Sequence, residues 1–243
     1  MSRPVRGSGS RLRAGSGRMA YMPQLLVLRH AQSQWNAAGR WQGWSDAPLS
    51  ELGVEQAMAA GRSLAAQGLA PSFVASSDLE RARRTAELLA GELGYVGDLA
   101  VDEDLREQDL GEWNGCTNDE IASRWPRELE ARRAGHFGPV PGGEAADRFV
   151  ERALGAITRL AARAAAEQAE GLVVTHGGVV IALEKALGAW ARGNRHGNLS
   201  GWSLEVRGTP PELELVPLLR VDLVAIAASE GGRTSSGTVT GRG

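Results

Sequence analysis

This 243-residue sequence has little cysteine, little lysine and no long apolar run. Its single cysteine, Cys116, excludes an internal disulfide and a cysteine-based metal cluster. Lys185 is the only lysine; because arginine, alanine and glycine are all abundant, the arginine content alone does not indicate phosphate binding. No apolar stretch approaches the ~20 residues that a transmembrane helix needs. The formal net charge of −2 implies no general affinity for nucleic acid or an anionic membrane.

The length suits one α/β domain with a sizeable core, and 42% hydrophobic with 23% charged residues is close to an average soluble globular protein. Residues 1–18 are rich in Arg, Gly and Ser and lack the apolar core of a secretory signal, so we expect a disordered N-terminal arm and a cytoplasmic protein. A translation start at Met19 or Met22 instead of Met1 stays open. We expect a folded domain over residues 19–228 and a disordered tail over residues 229–243.

The first candidate site follows an apolar run. Leu25–Leu28 predicts a buried strand, and polar side chains follow it directly. Arg29 supplies a planar cation that matches two phosphate oxygens, and His30 supplies an imidazole that can be neutral and nucleophilic near pH 7. Ser33 and Asn36 add uncharged hydrogen-bond donors. On its own, the Arg-His pair is better explained as an incidental strand end.

A second histidine has a similar setting. Gly171–Val174 predicts a strand, His176 follows it shortly, and two glycines lead into an apolar helix over residues 180–187. Glycine permits close backbone approach, and the first N–H groups of the helix point at whatever lies before it. The pattern places His176 at the same edge of the sheet as the first strand end.

A third segment predicts a strand over residues 71–77 and then a helix capped by Ser77 or Asp78. Arg81 falls in the first helical turn, where the helix dipole favours an anion. We expect the neighbouring residues Arg83 and Arg84 to be solvated.

Three tryptophans, Trp35, Trp41 and Trp44, occur close to the first motif in a loop rich in glycine and proline. Either they form a pocket wall or they pack in the core, and core packing is the better single interpretation. His136 is interpreted as a loop residue without a role in the chemistry, and His196 as a loop residue.

Four segments together resemble the histidine phosphatase (phosphoglycerate mutase-like) superfamily in chain order. These segments are Leu28–Asn36, Ser77–Ala86, Leu105–Gly115 and Thr175–Gly178. The first departs from the usual signature, since Ala31 replaces a glycine and Gln32 replaces a glutamate. The third matches Leu-x-Glu-x-x-x-Gly-x-Trp-x-Gly, which marks Glu107 among the neighbouring acids Glu103, Asp109 and Glu112.

The resemblance implies a three-layer α/β/α sandwich with a mostly parallel central sheet. It also implies a phosphohistidine intermediate with no metal and no cofactor. The implied catalytic residues are His30 as nucleophile, Glu107 as proton donor, and His176. The implied phosphate-binding residues are Arg29, Ser33, Asn36, Arg81 and Gly177.

Within the superfamily the sequence favours a phosphatase of a small phosphorylated metabolite, a sugar phosphate or a phosphoglycerate derivative. One ground is that the middle insert, which ends in Pro141-Gly142-Gly143-Glu144, is shorter than the insert expected in a dedicated glycolytic mutase. The other is Gly178, at a position where mutases more often have asparagine. Two alternatives stay open: a 2,3-bisphosphoglycerate-dependent phosphoglycerate mutase, and an inactive binding module of the same fold. The expected partner is a small-molecule phosphomonoester, with no nucleic acid and no membrane; a homodimer is left open.

Overall fold

The computed structural model describes residues 24–191 and 196–224. These ranges fall within the predicted domain, whereas the predicted N-terminal arm, the alternative start sites and the C-terminal tail lie outside the described residues. The strands are β1 (Gln24–Arg29), β2 (Phe73–Ser76), β3 (Leu99–Val101), β4 (Glu170–Thr175), β5 (Ser200–Thr209) and β6 (Glu212–Asp222). The helices are α1 (Gln34–Ala37), α2 (Glu51–Ala66), α3 (Glu80–Glu92), α4 (Asn118–Arg124), α5 (Pro126–Arg133), α6 (Ala146–Glu167) and α7 (Gly177–Ala186). Two 3-10 helices cover Glu103–Leu105 and Gly111–Trp113.

The six strands form one sheet in the order β3-β2-β4-β1-β5-β6. The first four run parallel, and β5 and β6 add an antiparallel hairpin beyond β1. In the register of β1 and β4, Arg29 lies opposite Thr175. The residues that follow, His30 and His176, therefore emerge side by side at the carboxyl edge of the sheet, as the sequence predicts.

Alternation along the strands divides the core into two layers. Leu25 and Val27 of β1 pack with α6 and α7 on one face of the sheet. Leu26 and Leu28 of the same strand pack with α2 and α3 on the other face. This arrangement is the predicted three-layer α/β/α sandwich with a mostly parallel sheet, and the fold-class prediction is confirmed. Among the described residues, no helix is long and apolar enough to cross a bilayer.

The insert between β3 and α6 builds a small core of its own. Leu110, Trp113, Ile121 and Leu129 are buried together under α4 and α5. The sequence pattern predicts a single helix over residues 117–129, whereas the structure has α4 and α5. The break occurs because Pro126 lacks a backbone N–H and starts a new helix at its first position. The insert lies beside the sheet edge that carries the histidines.

Three local predictions were wrong. Helix α3 is capped by Leu79 without a side-chain hydrogen bond, and the hydroxyl of Ser77 instead accepts the N–H of Leu79. Trp35 and Trp44 are not core residues, and Trp44 is 39% exposed, whereas Trp41 is partly buried and packs against the small core around Trp113. The sequence pattern predicts one long amphipathic helix over residues 143–170, but α6 begins only at Ala146. Residues 141–143 form a turn, and Glu144 donates its N–H to the carbonyl of Asp109 instead of continuing a helix.

Candidate active site

His30 and His176 lie against each other at the end of the parallel strands. Their ring centroids are 5.2 Å apart in an edge-to-face arrangement, and both side chains are buried. The backbone N–H of His30 donates to the carbonyl of Thr175 at 2.8 Å, which extends the β1–β4 pairing by one residue. Strand pairing thus fixes the relative position of the two imidazoles.

His30 is held in one tautomer. Its Nδ1 lies 2.7 Å from the carbonyl oxygen of Ala31, which can only accept a hydrogen bond, so Nδ1 carries the proton and Nε2 carries the lone pair. Burial, and then the charges of Arg81 and Arg29, lower the pKa of His30 well below its usual value. The ring is therefore neutral at neutral pH, with a nucleophilic nitrogen available.

His176 is buried without a hydrogen-bond partner for either ring nitrogen among the described residues. Burial first, and then the charges of Arg81 and Arg29, hold the pKa of His176 well below its usual value. A buried polar ring without partners is rare in folded proteins, so this arrangement points to a ligand that supplies hydrogen bonds.

Two guanidinium groups flank the histidines. Arg29 donates through Nη1 to the carbonyl of His196, and Arg81 donates at 2.8 Å to the carbonyls of Gly43 and Ser45. Burial lowers the pKa of Arg81 to about 10, which leaves it charged at neutral pH. In both residues Nε is buried without a partner among the described residues. These groups can hold the equatorial oxygens of a phosphoryl group.

Asn36 and Ser33 follow the first histidine but differ in orientation. Asn36 lines the cavity, and its Oδ1 accepts hydrogen bonds from the N–H of Ser33 and from Asn198, so its amide N–H groups are the ones left to donate to a ligand. The hydroxyl of Ser33 accepts the N–H of Asn36, caps α1 and donates to Gln42 at 2.8 Å. Ser33 is buried and does not line the cavity, so the geometry does not support its predicted phosphate contact.

Glu107 reaches the same cavity from the insert. Its Oε2 accepts the backbone N–H of Gly178 at 2.8 Å, one of the free N–H groups at the start of α7. Its Oε1 accepts the N–H of Gln108 at 2.9 Å. A Cβ at position 178 would lie 2.0 Å from Oε1 of Glu107, so only glycine permits this approach. The competing acids Glu103, Asp109 and Glu112 do not line the cavity.

The cavity has a volume of about 350 Å³ and unites most of the predicted site residues. Those that line it are Arg29, His30, Asn36, Arg81, Glu107 and Gly177, with His176 packed beneath His30. Sequence reasoning missed Arg132 of α5, Trp41 and His196 as lining residues. Arg132 lies outside the four segments that resemble the superfamily, whereas the sequence leaves a pocket-wall position of Trp41 open as the alternative to core packing.

Metal ligands are not grouped in this site. Within residues 24–191 and 196–224, no cluster of three or more His, Cys, Asp or Glu side chains could hold a metal ion. The positive charge that faces the cavity comes from arginine side chains.

Residues 25–215 match the model of the histidine phosphatase superfamily, branch 1. The chain belongs to this superfamily. Among curated relatives, a 2,3-bisphosphoglycerate-dependent phosphoglycerate mutase of Methylocella silvestris is 39% identical over 166 residues, which are 67% of this chain and 80% of the relative. A protein of the same name from Methylobacterium sp. is 42% identical over 137 residues, 55% of this chain, and the match spans 65% of the relative's length.

Solved structures of other proteins share the fold. A mycobacterial glucosyl-3-phosphoglycerate phosphatase, in complex with VO3, superposes with a TM-score of 0.70 and 31% identity over 81% of this chain and 98% of that chain. The phosphoglycerate mutase of Bacillus anthracis gives a TM-score of 0.67 at 24% identity over 84% of this chain and 96% of that chain, a likeness of fold alone.

Proposed function

We propose that this protein is a metal-independent phosphomonoester hydrolase. It acts through a phosphohistidine on a small phosphorylated metabolite, either a sugar phosphate or a phosphoglycerate derivative. The observation that carries the proposal is the neutral ring of His30, with Nε2 unprotonated, buried beside the charged side chains of Arg29 and Arg81. A neutral imidazole next to two cations is suited to attack a dianionic phosphate.

In the first half-reaction, Nε2 of His30 attacks phosphorus and the bond to the ester oxygen breaks in line. Arg29, Arg81, the amide of Asn36, His176 and the N–H of Gly177 offset the charge on the equatorial oxygens. Because the chemistry needs positioning and charge stabilisation above all, these donors can do what a metal ion does in other phosphotransferases.

Glu107 acts in both half-reactions. As an acid it gives its proton to the leaving alkoxide oxygen. As a carboxylate it then takes a proton from the water that attacks phosphorus while the P–N bond breaks. Its location supports this role, since Glu107 is the carboxylate that lines the cavity in the described part of the chain.

The rest of the cavity supports a substrate with a polar or anionic body. Arg132 and Arg40 line the cavity beside the ring of Trp41, in addition to the two arginines assigned to the phosphoryl group. Burial lowers the pKa of Arg132, with Glu107 acting in the opposite direction, but an arginine still carries its charge at neutral pH. This excess of positive charge fits a phosphoglycerate derivative better than an uncharged ester.

A mutase is the second candidate. The curated relatives named above are called phosphoglycerate mutases, and they support this reaction as well as the mycobacterial neighbour supports hydrolysis. In a mutase the same phosphohistidine returns its phosphoryl group to a reoriented substrate. The two reactions differ in whether water or a second hydroxyl group accepts the phosphoryl group.

One pair of assays separates the candidates. Phosphate release is measured from 3-phosphoglycerate, glycerol 3-phosphate, glucose 6-phosphate and p-nitrophenyl phosphate, with and without EDTA. A coupled mutase assay runs beside it, with and without 2,3-bisphosphoglycerate. We expect phosphate release that EDTA does not reduce. Interconversion of phosphoglycerates that depends on the bisphosphate and exceeds phosphate release would assign the protein as a mutase.

A further inference from the structure

Glu107 lies in a segment of the chain that has no regular secondary structure. It lies between the 3-10 helices Glu103–Leu105 and Gly111–Trp113, and no strand or long helix fixes its backbone. A group that transfers a proton must be held to within a fraction of an ångström, since a displacement of about 1 Å can reduce a rate by about 10²-fold. Other residues must therefore hold this segment.

Arg152 of α6 supplies that support. Its Nη1 donates to the carbonyls of Asp104 and Arg106 at 2.9 and 2.8 Å, and its Nη2 donates to the carbonyl of Glu107 at 2.8 Å. Its Nε and Nη2 both donate to the carboxylate of Glu144 at 2.7 Å. All five N–H donors of the guanidinium group are therefore engaged, three of them with the backbone that carries Glu107.

Glu144 completes the arrangement from the other side. Its N–H donates to the carbonyl of Asp109 at 2.9 Å, and its own carbonyl accepts the side-chain amide of Gln108. Glu144 thus ties the residues just after Glu107 to the same ion pair. The Arg152–Glu144 pair is only 16% and 13% exposed, which limits its screening by solvent.

We propose that the Arg152–Glu144 pair positions Glu107 for proton transfer. The inference rests on the proposed function, in which Glu107 is the general acid and base. Arg152 does not line the cavity, and among the described residues it makes no hydrogen bond to either histidine, although its charge contributes to the lowered pKa of His176. Its hydrogen bonds go to the backbone of residues 104–107 and to Glu144. Helix α6, the longest helix among the described residues, thereby holds the proton donor against the N–H of Gly178.

Arg159 offers a matched control on the same helix. It lies two turns after Arg152 and pairs with the carboxylates of Asp102 and Asp104 at 2.9 and 2.8 Å. It contacts side chains at the start of the same 3-10 helix, is 56% exposed, and makes no hydrogen bond to the carbonyls of residues 104–107 among the described residues. A general weakening of α6 affects both arginines, whereas loss of positioning affects only Arg152.

The test compares Arg152→Lys, Glu144→Gln and Arg159→Lys with the wild type and with Glu107→Gln. Lysine keeps the charge but has no planar fork, so it cannot reach three carbonyls and a carboxylate together. We measure kcat/KM, which reports the first half-reaction, for 3-phosphoglycerate and for p-nitrophenyl phosphate. The aryl ester has an acidic leaving group and depends less on a proton donor.

We expect Arg152→Lys to lower kcat/KM about 10- to 100-fold for 3-phosphoglycerate. The value for p-nitrophenyl phosphate should stay within about twofold, the same pattern as Glu107→Gln in weaker form. Glu144→Gln should show a smaller loss of the same kind, and Arg159→Lys none. Equal losses on both esters, or no loss in either variant of the pair, would overturn the proposal. Glu144→Gln alone decides if Arg152→Lys does not fold.

Amide hydrogen exchange tests the positioning without relying on activity. The N–H groups of Gln108 and Gly178 donate to the Glu107 carboxylate, so their exchange should be faster in Arg152→Lys than in the wild type or Arg159→Lys. If the wild type turns over neither ester, or Glu107→Gln shows no leaving-group dependence, the proposed function fails. The exchange result then decides: faster exchange supports positioning of Glu107, and unchanged exchange contradicts it.

Discussion

At the scale of single residues, the site depends on close approach as much as on charge. Glu107 accepts the N–H of Gly178, and any side chain at position 178 would meet its carboxylate. Gly177, the preceding residue, has more room, since a Cβ there would be 3.6 Å from its nearest neighbour, the side chain of Arg29. A side chain is therefore excluded by Glu107 at position 178, whereas position 177 has space for a Cβ.

We predict that Gly178→Ala displaces Glu107 and lowers kcat/KM for an alkyl phosphate by about 10²-fold or more, because general acid catalysis typically contributes that much. Hydrolysis of p-nitrophenyl phosphate should fall less. Steady-state kinetics on both esters measure this, with Gly177→Ala expected to lose less on the alkyl ester. An alkyl-phosphate rate near wild type in Gly178→Ala would show that Glu107 does not need this approach.

The reactive residues could be predicted from the sequence because they lie in recognisable motifs. His30 and His176 follow apolar strands, and the pairing of β1 with β4 brings them together as that pattern predicts. Ser33 was misjudged because its spacing from the histidine fits a ligand contact and a helix cap equally well. Arg152 and Glu144 hold residues 104–109, a distant segment of the chain, and no local sequence pattern predicts those contacts.

At the scale of elements, strand ends supply the reactive groups and the insert shapes the rest of the cavity. Strands were predicted well because their apolar runs are buried on both faces by α2, α3, α6 and α7. The insert was predicted less well, since its short helices depend on a small separate core around Trp113. Arg132 of α5 reaches the cavity, where it donates to Gln108 and lies over the ring of Phe137.

We predict that Arg132→Ala lowers kcat/KM for substrates that carry a second anionic group. Loss of a charge-assisted hydrogen bond of about 1.5–3 kcal/mol corresponds to a roughly 10- to 100-fold lower kcat/KM for 3-phosphoglycerate. The value for p-nitrophenyl phosphate should change little. Arg133→Ala is the control, because this neighbour on α5 is exposed and does not line the cavity. Equal losses on both esters would assign Arg132 to folding or to the phosphoryl group instead.

At the scale of the whole molecule, two buried neutral histidines make folding depend on pH. An unfolded chain binds protons at histidine as the pH falls through about 6.5, whereas burial and the neighbouring arginines keep His30 and His176 neutral in the folded protein. The unfolded state then binds more protons, so the free energy of unfolding decreases below this pH. One unit below, each histidine removes about 1.4 kcal/mol of stability.

We therefore predict a drop in stability between about pH 7 and pH 5.5 that His30→Asn reduces by about half and the double variant with His176→Asn removes. Urea unfolding at several pH values in this window measures it. His136→Asn serves as the control, since His136 lies exposed in a loop and its replacement should leave the slope unchanged. A slope that survives the double variant would assign the pH dependence to other groups.

The most direct test of the whole account is to trap the phosphoenzyme. The protein is mixed with p-nitrophenyl phosphate, whose acidic leaving group lets the first half-reaction proceed without a proton donor, and the reaction is quenched in alkali. The protein is then digested, and the peptide that contains position 30 is examined by mass spectrometry. The account predicts one phosphoryl group on His30, stable in alkali and lost in acid, increased in Glu107→Gln because hydrolysis of the intermediate is slowed, and absent in His30→Ala. Turnover by His30→Ala, or a phosphoryl group on another residue, would contradict it.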